Sequence, residues 1–349
     1  MPILLKTRVN ISDIAKALNL TKSTVSRALN NVPTISDQTR RLVLETAKKM
    51  NYRPNKLASS LSNGRTNIIG VIIPDAKIEF FSKVIASIEQ TLKIKGYSIL
   101  LYQSNESLES EITGITSMLE AQVDGFIISM SLETNSFEHF EKLIEENKPL
   151  ILFDRIQPSI DCSSVSIDDY KAGYIVTKHL LDQGYKNIAS ISTHHKVHIF
   201  NERFRGYVDA MKEAGINIQE EYQIFGELSP EGGITATKQL ISMPIKPDAI
   251  IGGDDYVALG VLNELKSQDI IPPQKGIIGF SNQLFGQYLS PSLSTLDQKP
   301  EIVGEKSAEL LLEHLNSKVK LSAKKIVIEP ELIVRESSRR DQNKKNFRH

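Results

Sequence analysis

Ile11-Ser-Asp-Ile-Ala-Lys-Ala-Leu-Asn-Leu-Thr-Lys-Ser-Thr-Val-Ser-Arg-Ala-Leu-Asn30 holds two short helix patterns separated by a tight turn. Asn10 suits the cap of the first, with Asp13 three residues on, and Ile11, Ile14, Ala15 and Leu18 form its apolar face. Asn19 and Leu20 make the turn. Thr21 caps the second helix, and Val25, Ala28 and Leu29 point inward. A third pattern follows, capped by Ser36, with Leu42, Val43, Ala47 and Met50 on its buried side and Pro54 just beyond its end. Two short helices joined by a tight turn and backed by a third make a helix-turn-helix.

The second helix carries the chemistry. Its buried positions leave Lys22, Ser23, Ser26 and Arg27 facing outward, near the end that enters a major groove. Arg and Lys suit guanine O6 and N7, Ser reads bases weakly, and the helix N-terminus favours a phosphate oxygen. The pattern alone also fits a protein-interaction module. Charge favours DNA: residues 1–65 hold 12 Lys and Arg against 3 Asp and Glu, whereas residues 66–349 hold 30 against 39. A solvated basic face without a partner is the plainer alternative.

Tyr52-Arg-Pro-Asn-Lys-Leu-Ala-Ser-Ser-Leu-Ser-Asn-Gly-Arg65 comes next. Asn55 can cap a helix of about two turns ending near Gly64, well below the roughly 12–15 residues an isolated helix needs. Such a helix forms when DNA and a partner copy offset its ordering entropy, and Leu61 on it would be a wedge for a minor-groove base step. The other reading is a flexible linker.

The stretch from Ile11 to Asn30, followed by Asn51-Tyr-Arg-Pro-Asn55, resembles the headpiece of the lactose/galactose repressor (LacI/GalR) family. The resemblance implies that Lys22, Ser23 and Arg27 read bases, with Ser26 beside them, and that Leu61 is the hinge leucine that intercalates at the operator centre. Asn55 and Ala58 join it among the implied DNA contacts.

From Asn67 the texture changes to short apolar runs alternating with helical stretches, the mark of parallel sheets with crossover helices. Strand-like runs are Ile68–Ile73, Tyr97–Tyr102, Gly125–Ser129 and Leu150–Phe153, with helices at Ser82–Lys95 and Ser136–Glu146. A second set holds Val165–Ile167, a helix at Lys171–Asp182, Ile188–Ser192, a helix at Arg203–Glu213, Ala249–Gly252 and Gly276–Phe280. Lys325–Val334 reads as further strand material. Two such sets predict two lobes with a cleft at the carboxyl ends of the strands. Asp75, Asp154-Arg155 and Asp254-Asp255 stand at those ends. One Asp after a strand is more often a helix cap; several at matching ends form a pocket rim.

The body resembles the same family through Ile69-Gly-Val-Ile-Ile-Pro-Asp75, Val123-Asp-Gly-Phe-Ile-Ile128, Phe153-Asp-Arg155, Glu202-Arg-Phe-Arg-Gly-Tyr207 and Asp255-Tyr-Val-Ala-Leu-Gly260, so the likeness spans nearly the whole chain. It implies a body similar to periplasmic sugar-binding proteins, dimerising side by side. Phe81, Asp154, Arg203 and Asp255 are the implied effector contacts. Four features depart from the family pattern: Ala76-Lys-Ile-Glu79 replaces the usual Ser-Asn-Pro, Ser281-Asn282 stands where many members have an Asp pair, Thr193-His-His-Lys196 replaces a Gly-rich loop, and Asp254 stands where Asn is common.

These readings predict a multidomain chain: an all-α helix-turn-helix headpiece at 1–54, a hinge helix and linker at 55–65, and an α/β core at 66–349 that is two-lobed, periplasmic-binding-protein-like and built on parallel sheets. The expected lobes are 66–166 with 297–322, and 167–296 with 323–340. The expected function is a sequence-specific transcriptional regulator, a repressor, binding a near-palindromic double-stranded operator as a homodimer under allosteric control by a sugar or related metabolite.

Other classes fit less well. No apolar run approaches the roughly 20 residues that span a bilayer, and Met1–Asn10 is too short and polar for a secretory signal. Cys162 is the only cysteine, which excludes an internal disulfide and a cysteine-based zinc site and suits a cytoplasmic protein. His194, His195 and His198 lie close in sequence, but a zinc site usually adds a carboxylate or thiolate, so no metal is expected. The chain lacks a phosphate-cradling Gly-rich loop, a Gly-x-Ser-x-Gly elbow and a Gly-x-Gly-x-x-Gly after the first strand, so no cofactor and no catalytic residue are expected. A transport-linked binding protein would have no use for the basic headpiece.

Overall fold

A computed structural model describes residues 9–52, 64–193 and 197–340. The chain divides into two compact units, residues 1–66 and 67–349. In the first, α1 (Ile11–Leu18), α2 (Lys22–Leu29) and α3 (Asp37–Lys49) are each started by a side-chain cap. Asn10 Oδ1 accepts from the Ser12 N–H at 2.8 Å while Asp13 reaches back to the Asn10 N–H at 2.9 Å. Thr21 and Ser36 accept from the N–H groups of Thr24 and Thr39. Asn19, at φ 51°, ends α1 in the left-handed region that Asn tolerates, which makes the turn sharp.

Ile14, Ala15, Val25, Ala28, Val43 and Ala47 form the buried centre of this unit, with Met50 and Tyr52 against it. Leu42, expected inside, is 48% exposed. Val43, Ala47 and Met50 lie at i, i+4 and i+7 and define the buried stripe, so Leu42 is turned about 100° away from it.

The second unit holds two sheets. The first comprises β1 (Ile68–Ile73), β2 (Ser98–Gln103), β3 (Gly125–Ile128), β4 (Leu150–Phe153), β5 (Ser163–Ile167) and β11 (Lys325–Ile328). Its order is β11-β5-β4-β3-β1-β2, all parallel. The crossovers are α4 (Glu79–Ile94), α5 (Leu108–Glu120) and α6 (Glu138–Glu145). The second sheet comprises β6 (Ile188–Ser192), β7 (Gln223–Phe225), β8 (Ala249–Gly252), β9 (Gly276–Phe280), β10 (Ser294–Asp297) and β12 (Glu331–Ile333). Its order is β12-β10-β9-β8-β6-β7, parallel except for β12 against β10. Its helices are α7 (Asp169–Asp182), α8 (His198–Glu213), α9 (Pro230–Ser242) and α10 (Asp255–Ser267). α11 (Pro300–Asn316) follows β10 but packs on α4 and the first sheet.

The central strands β3, β4 and β8 are fully buried, as a sheet covered by helices on both faces requires. One lobe boundary differs from the expectation that residues 323–340 follow the second lobe. β11 pairs with β5 from Lys325↔Ser164 to Ile328↔Ile167 and so belongs to the first sheet; the chain changes lobe after it, and β12 joins the second. Both segments are short strand-like runs, and periodicity cannot say which edge accepts each.

Candidate functional site

In the helical unit, Lys22, Ser23 and Arg27 are exposed on α2 and Ser26 is half-buried beside them, while Val25 and Ala28 are buried. Asn55, Ala58 and Leu61 lie outside the described residues.

In the second unit, the carboxyl ends of the strands of both sheets enclose a cavity of about 610 Å³. Phe81, Asp154 and Arg203 line it. Asp154 follows β4 with φ 56°, a backbone that Asp adopts more readily than most residues. Burial pushes its carboxyl above the usual range, and the neighbouring Arg155 and Arg203 partly offset this.

Arg203 is held from behind. Its Nε donates to Asp169 Oδ1 at 2.8 Å, and its guanidinium lies 4.5 Å from the Phe280 ring centroid and 5.7 Å from that of Phe200. Only 9% of Arg203 is exposed, and its buried Nη2 has no hydrogen-bond partner. Burial pushes Asp169 up to about 7, against the pull of Arg203. This placement needs α7 and α8 to touch: a Cβ on Gly173 would stand 1.9 Å from the Arg203 carbonyl oxygen, and one on Gly206 would stand 2.1 Å from that of Tyr170. On the first lobe, Arg155 Nη1 donates to Glu106 Oε2 at 2.5 Å and to the Met130 carbonyl at 3.3 Å, and the guanidinium covers the Phe81 ring.

Asp255 is elsewhere. It does not line the cavity and is fully buried; its Oδ1 accepts from the Thr295 hydroxyl at 2.6 Å and its Oδ2 from the Gln283 N–H at 2.7 Å. Burial pushes its carboxyl up to about 8. Asp254 faces the cavity instead, and also caps α10 by accepting from the Val257 N–H at 2.7 Å. The physical reason is helical rotation: the first residue of α10 points about 100° away from its cap, back onto the sheet. Asp169, Glu106 and Asp254 complete the site. Asp254 belongs to the strand-end rim that the sequence marks, although Asp255 was the implied effector contact, and Asp169, next to the α7 cap Asp168, had no local mark.

Cys162 is buried, and burial pushes its thiol up to about 12. Among the described residues no group of three or more His, Cys, Asp or Glu could hold a metal ion; His198 opens α8, and His194 and His195 lie outside the described residues. No helix among the described residues is long and apolar enough to cross a membrane.

Residues 10–55 match the description "Bacterial regulatory proteins, lacI family", and residues 177–338 match a periplasmic binding protein-like domain. Catabolite control protein A of Priestia megaterium is 32% identical over 310 residues, 88% of this chain and 93% of the relative. The chain belongs to the lacI family. This lacI-family chain is therefore a transcriptional regulator and not an enzyme. It is also 30% identical over 338 residues to the HTH-type transcriptional repressor CytR of Escherichia coli (strain K12), covering 96% of this chain and 97% of the relative. Its fold is that of the lac repressor dimer bound to operator and the anti-inducer ONPF, with a TM-score of 0.86 over 96% of this chain and 100% of that one, at 21% identity.

Proposed function

We propose that this lacI-family regulator is a cytoplasmic, homodimeric repressor whose operator affinity is set by a small molecule held between the two lobes. The observation that carries this reading is Arg203, a buried guanidinium with an unpartnered Nη2 on the wall of a 610 Å³ cavity, in a chain whose other unit is a basic helix-turn-helix. Phe81 adds an apolar patch to the wall, Arg203 offers a donor, and Asp154 and Asp254 offer acceptors, which suits a polar ring compound such as a sugar. Asp255 supports the wall from behind.

The domain reading that goes with this is a headpiece at 1–54, a conditional hinge helix at 55–65 and a core from 66 onward. Lys22, Ser23, Ser26 and Arg27 enter the major groove, and Asn55, Ala58 and Leu61 the minor groove. Dimerisation has support in the exposed apolar residues of two edge strands: Leu100 and Leu101 on β2 are 39% and 40% exposed, and Phe225 on β7 is 45% exposed. The lac repressor, of the same fold, is a dimer on its operator. Two headpieces related by a two-fold axis require a near-palindromic site.

Selection of bound sequences from random duplex DNA, followed by native mass spectrometry of the complex, tests the reading. Enrichment of a two-fold-symmetric site holding two copies is expected. No enriched sequence, or one copy bound at full affinity to a half-site, contradicts it.

A further inference from the structure

Resting on the reading of this cavity as the effector site, we propose that its effector carries a positively charged amine on a hydroxylated ring, an amino sugar in class, rather than a neutral or phosphorylated sugar.

Among the described residues the cavity is lined by the carboxylates of Asp75, Glu106, Asp154, Glu227 and Asp254 against the guanidinium groups of Arg155 and Arg203. Arg155 is already engaged by Glu106, and Arg203 by Asp169 behind the wall. Asp75, Asp154, Glu227 and Asp254 form no ion pair with any described residue. Asp154 follows a strand of one lobe and Asp254 a strand of the other, so each lobe brings a carboxylate that has no ion-pair partner among the described residues. A phosphate or carboxylate placed there meets like charge on both walls, and a neutral sugar leaves it unanswered.

Arg203 supplies the second half of the specification. It is more than nine-tenths buried, it lines the cavity, and its Nη2 lacks an acceptor. The ligand must therefore bring an acceptor oxygen for Arg203 as well as a cation for the carboxylates. Hydroxyls on a ring supply the first and an ammonium the second. Burial raises the carboxyls of both Asp154 and Asp254, against the pull of Arg155 and Arg203, so desolvation outweighs the cations already present.

The test compares three series of ring sugars that differ in charge (glucosamine, glucose and glucuronate; galactosamine, galactose and galacturonate; mannosamine, mannose and mannuronate), with glucose 6-phosphate added, by thermal stabilisation and calorimetry on the full-length protein. The variants are Asp154→Asn and Asp254→Asn. Asn tolerates the left-handed backbone at 154 and caps a helix at 254, so both fold. In at least one series the amine should bind more tightly than its neutral and acidic counterparts. Each Asn variant should weaken the amine roughly tenfold to a hundredfold and the neutral sugar by a clearly smaller factor, since Asn keeps an acceptor oxygen but not the charge. Failure of every amine to stabilise the wild type overturns the proposal, as does a neutral or anionic member binding as tightly as its amine, or an amine preference that survives both variants. Arg203→Ala separates the two levels. A ligand of another charge class whose binding is lost in Arg203→Ala overturns the charge assignment alone, whereas a ligand whose binding survives it removes the cavity as the effector site.

Discussion

Glu79, on the first turn of α4, accepts through Oε2 a 2.9 Å hydrogen bond from the backbone N–H of Leu284, which belongs to the other lobe. Lys83 Nζ lies 2.7 Å from Glu79 Oε1 on the same helix. The chain itself passes between lobes after β5, β10 and β11, so this bond ties them by a contact independent of those crossovers.

Glu79→Ala should therefore favour an open cleft. A hydrogen bond to a charged group is worth about 1.5–3 kcal/mol when buried, and partial exposure puts this one at the low end. The radius of gyration from small-angle scattering should rise, and effector affinity should fall several-fold. Burial raises the Glu79 carboxyl, but the Leu284 N–H and Lys83 together lower it below its ordinary 4.5. Its contribution is thus fully present above pH 4.5 and is lost as pH falls through the lowered value. Identical scattering from variant and wild type would show that closure does not depend on this contact.

Asp255, buried behind the wall, governs stability and not ligand contact. Its carboxyl rises from 3.8 to about 8 on folding, so folding favours its protonated form. Its contribution is greatest below pH 3.8 and declines as pH rises toward 8. In Asp255→Asn the amide can accept from the Gln283 N–H and donate to the Thr295 hydroxyl, so the fold survives and the decline between pH 4 and 8 flattens. Asp255→Ala leaves two buried donors unmet and should cost about 2–4 kcal/mol. Melting curves across that pH range decide this; equal slopes for wild type and Asp255→Asn would contradict it.

What could be read from the sequence depended on how local each cause is. Asn10, Thr21 and Ser36 were legible because a cap acts on residues two or three positions away. Phe81, Asp154 and Arg203 came from family likeness, and the fold brings them to one cavity. Asp254 and Asp255 were not separable, because which of two adjacent acids faces the ligand is fixed by the phase of α10 against β9 and β10. The Asp169–Arg203 pair spans 34 residues and requires the close approach that Gly173 and Gly206 permit. Glu79 and Leu284 are 205 residues apart, and β11 had two candidate edges to join. Such pairings are set by tertiary packing.

Gly173→Ala should disturb the site through the backbone. The added Cβ would fall 1.9 Å from a carbonyl oxygen of α8, so the two helices must separate. Overpacking of this kind costs about 1–3 kcal/mol and displaces Arg203 along with its helix. A lower melting temperature together with weaker effector binding is expected. Full stability in the variant would mean that the helix pair yields without strain.

On the DNA side, Arg27→Ala should cost about 1–3 kcal/mol in operator binding and relax preference at one position of each half-site. A base-substitution panel reads both effects. A uniform loss over all substituted operators would make Arg27 a phosphate contact.

The central claim is that the cavity and the operator are coupled, and coupling between two binding sites is reciprocal. Operator affinity should be measured by fluorescence anisotropy with and without a ligand that stabilises the free protein, and ligand affinity with and without operator, in wild type and in Arg203→Ala. Both affinities in the wild type should change by the same factor, on the order of 5–150-fold, and neither should change in Arg203→Ala, whose operator affinity without ligand stays near normal. A ligand that binds the wild-type cavity yet leaves operator affinity unchanged would contradict the account.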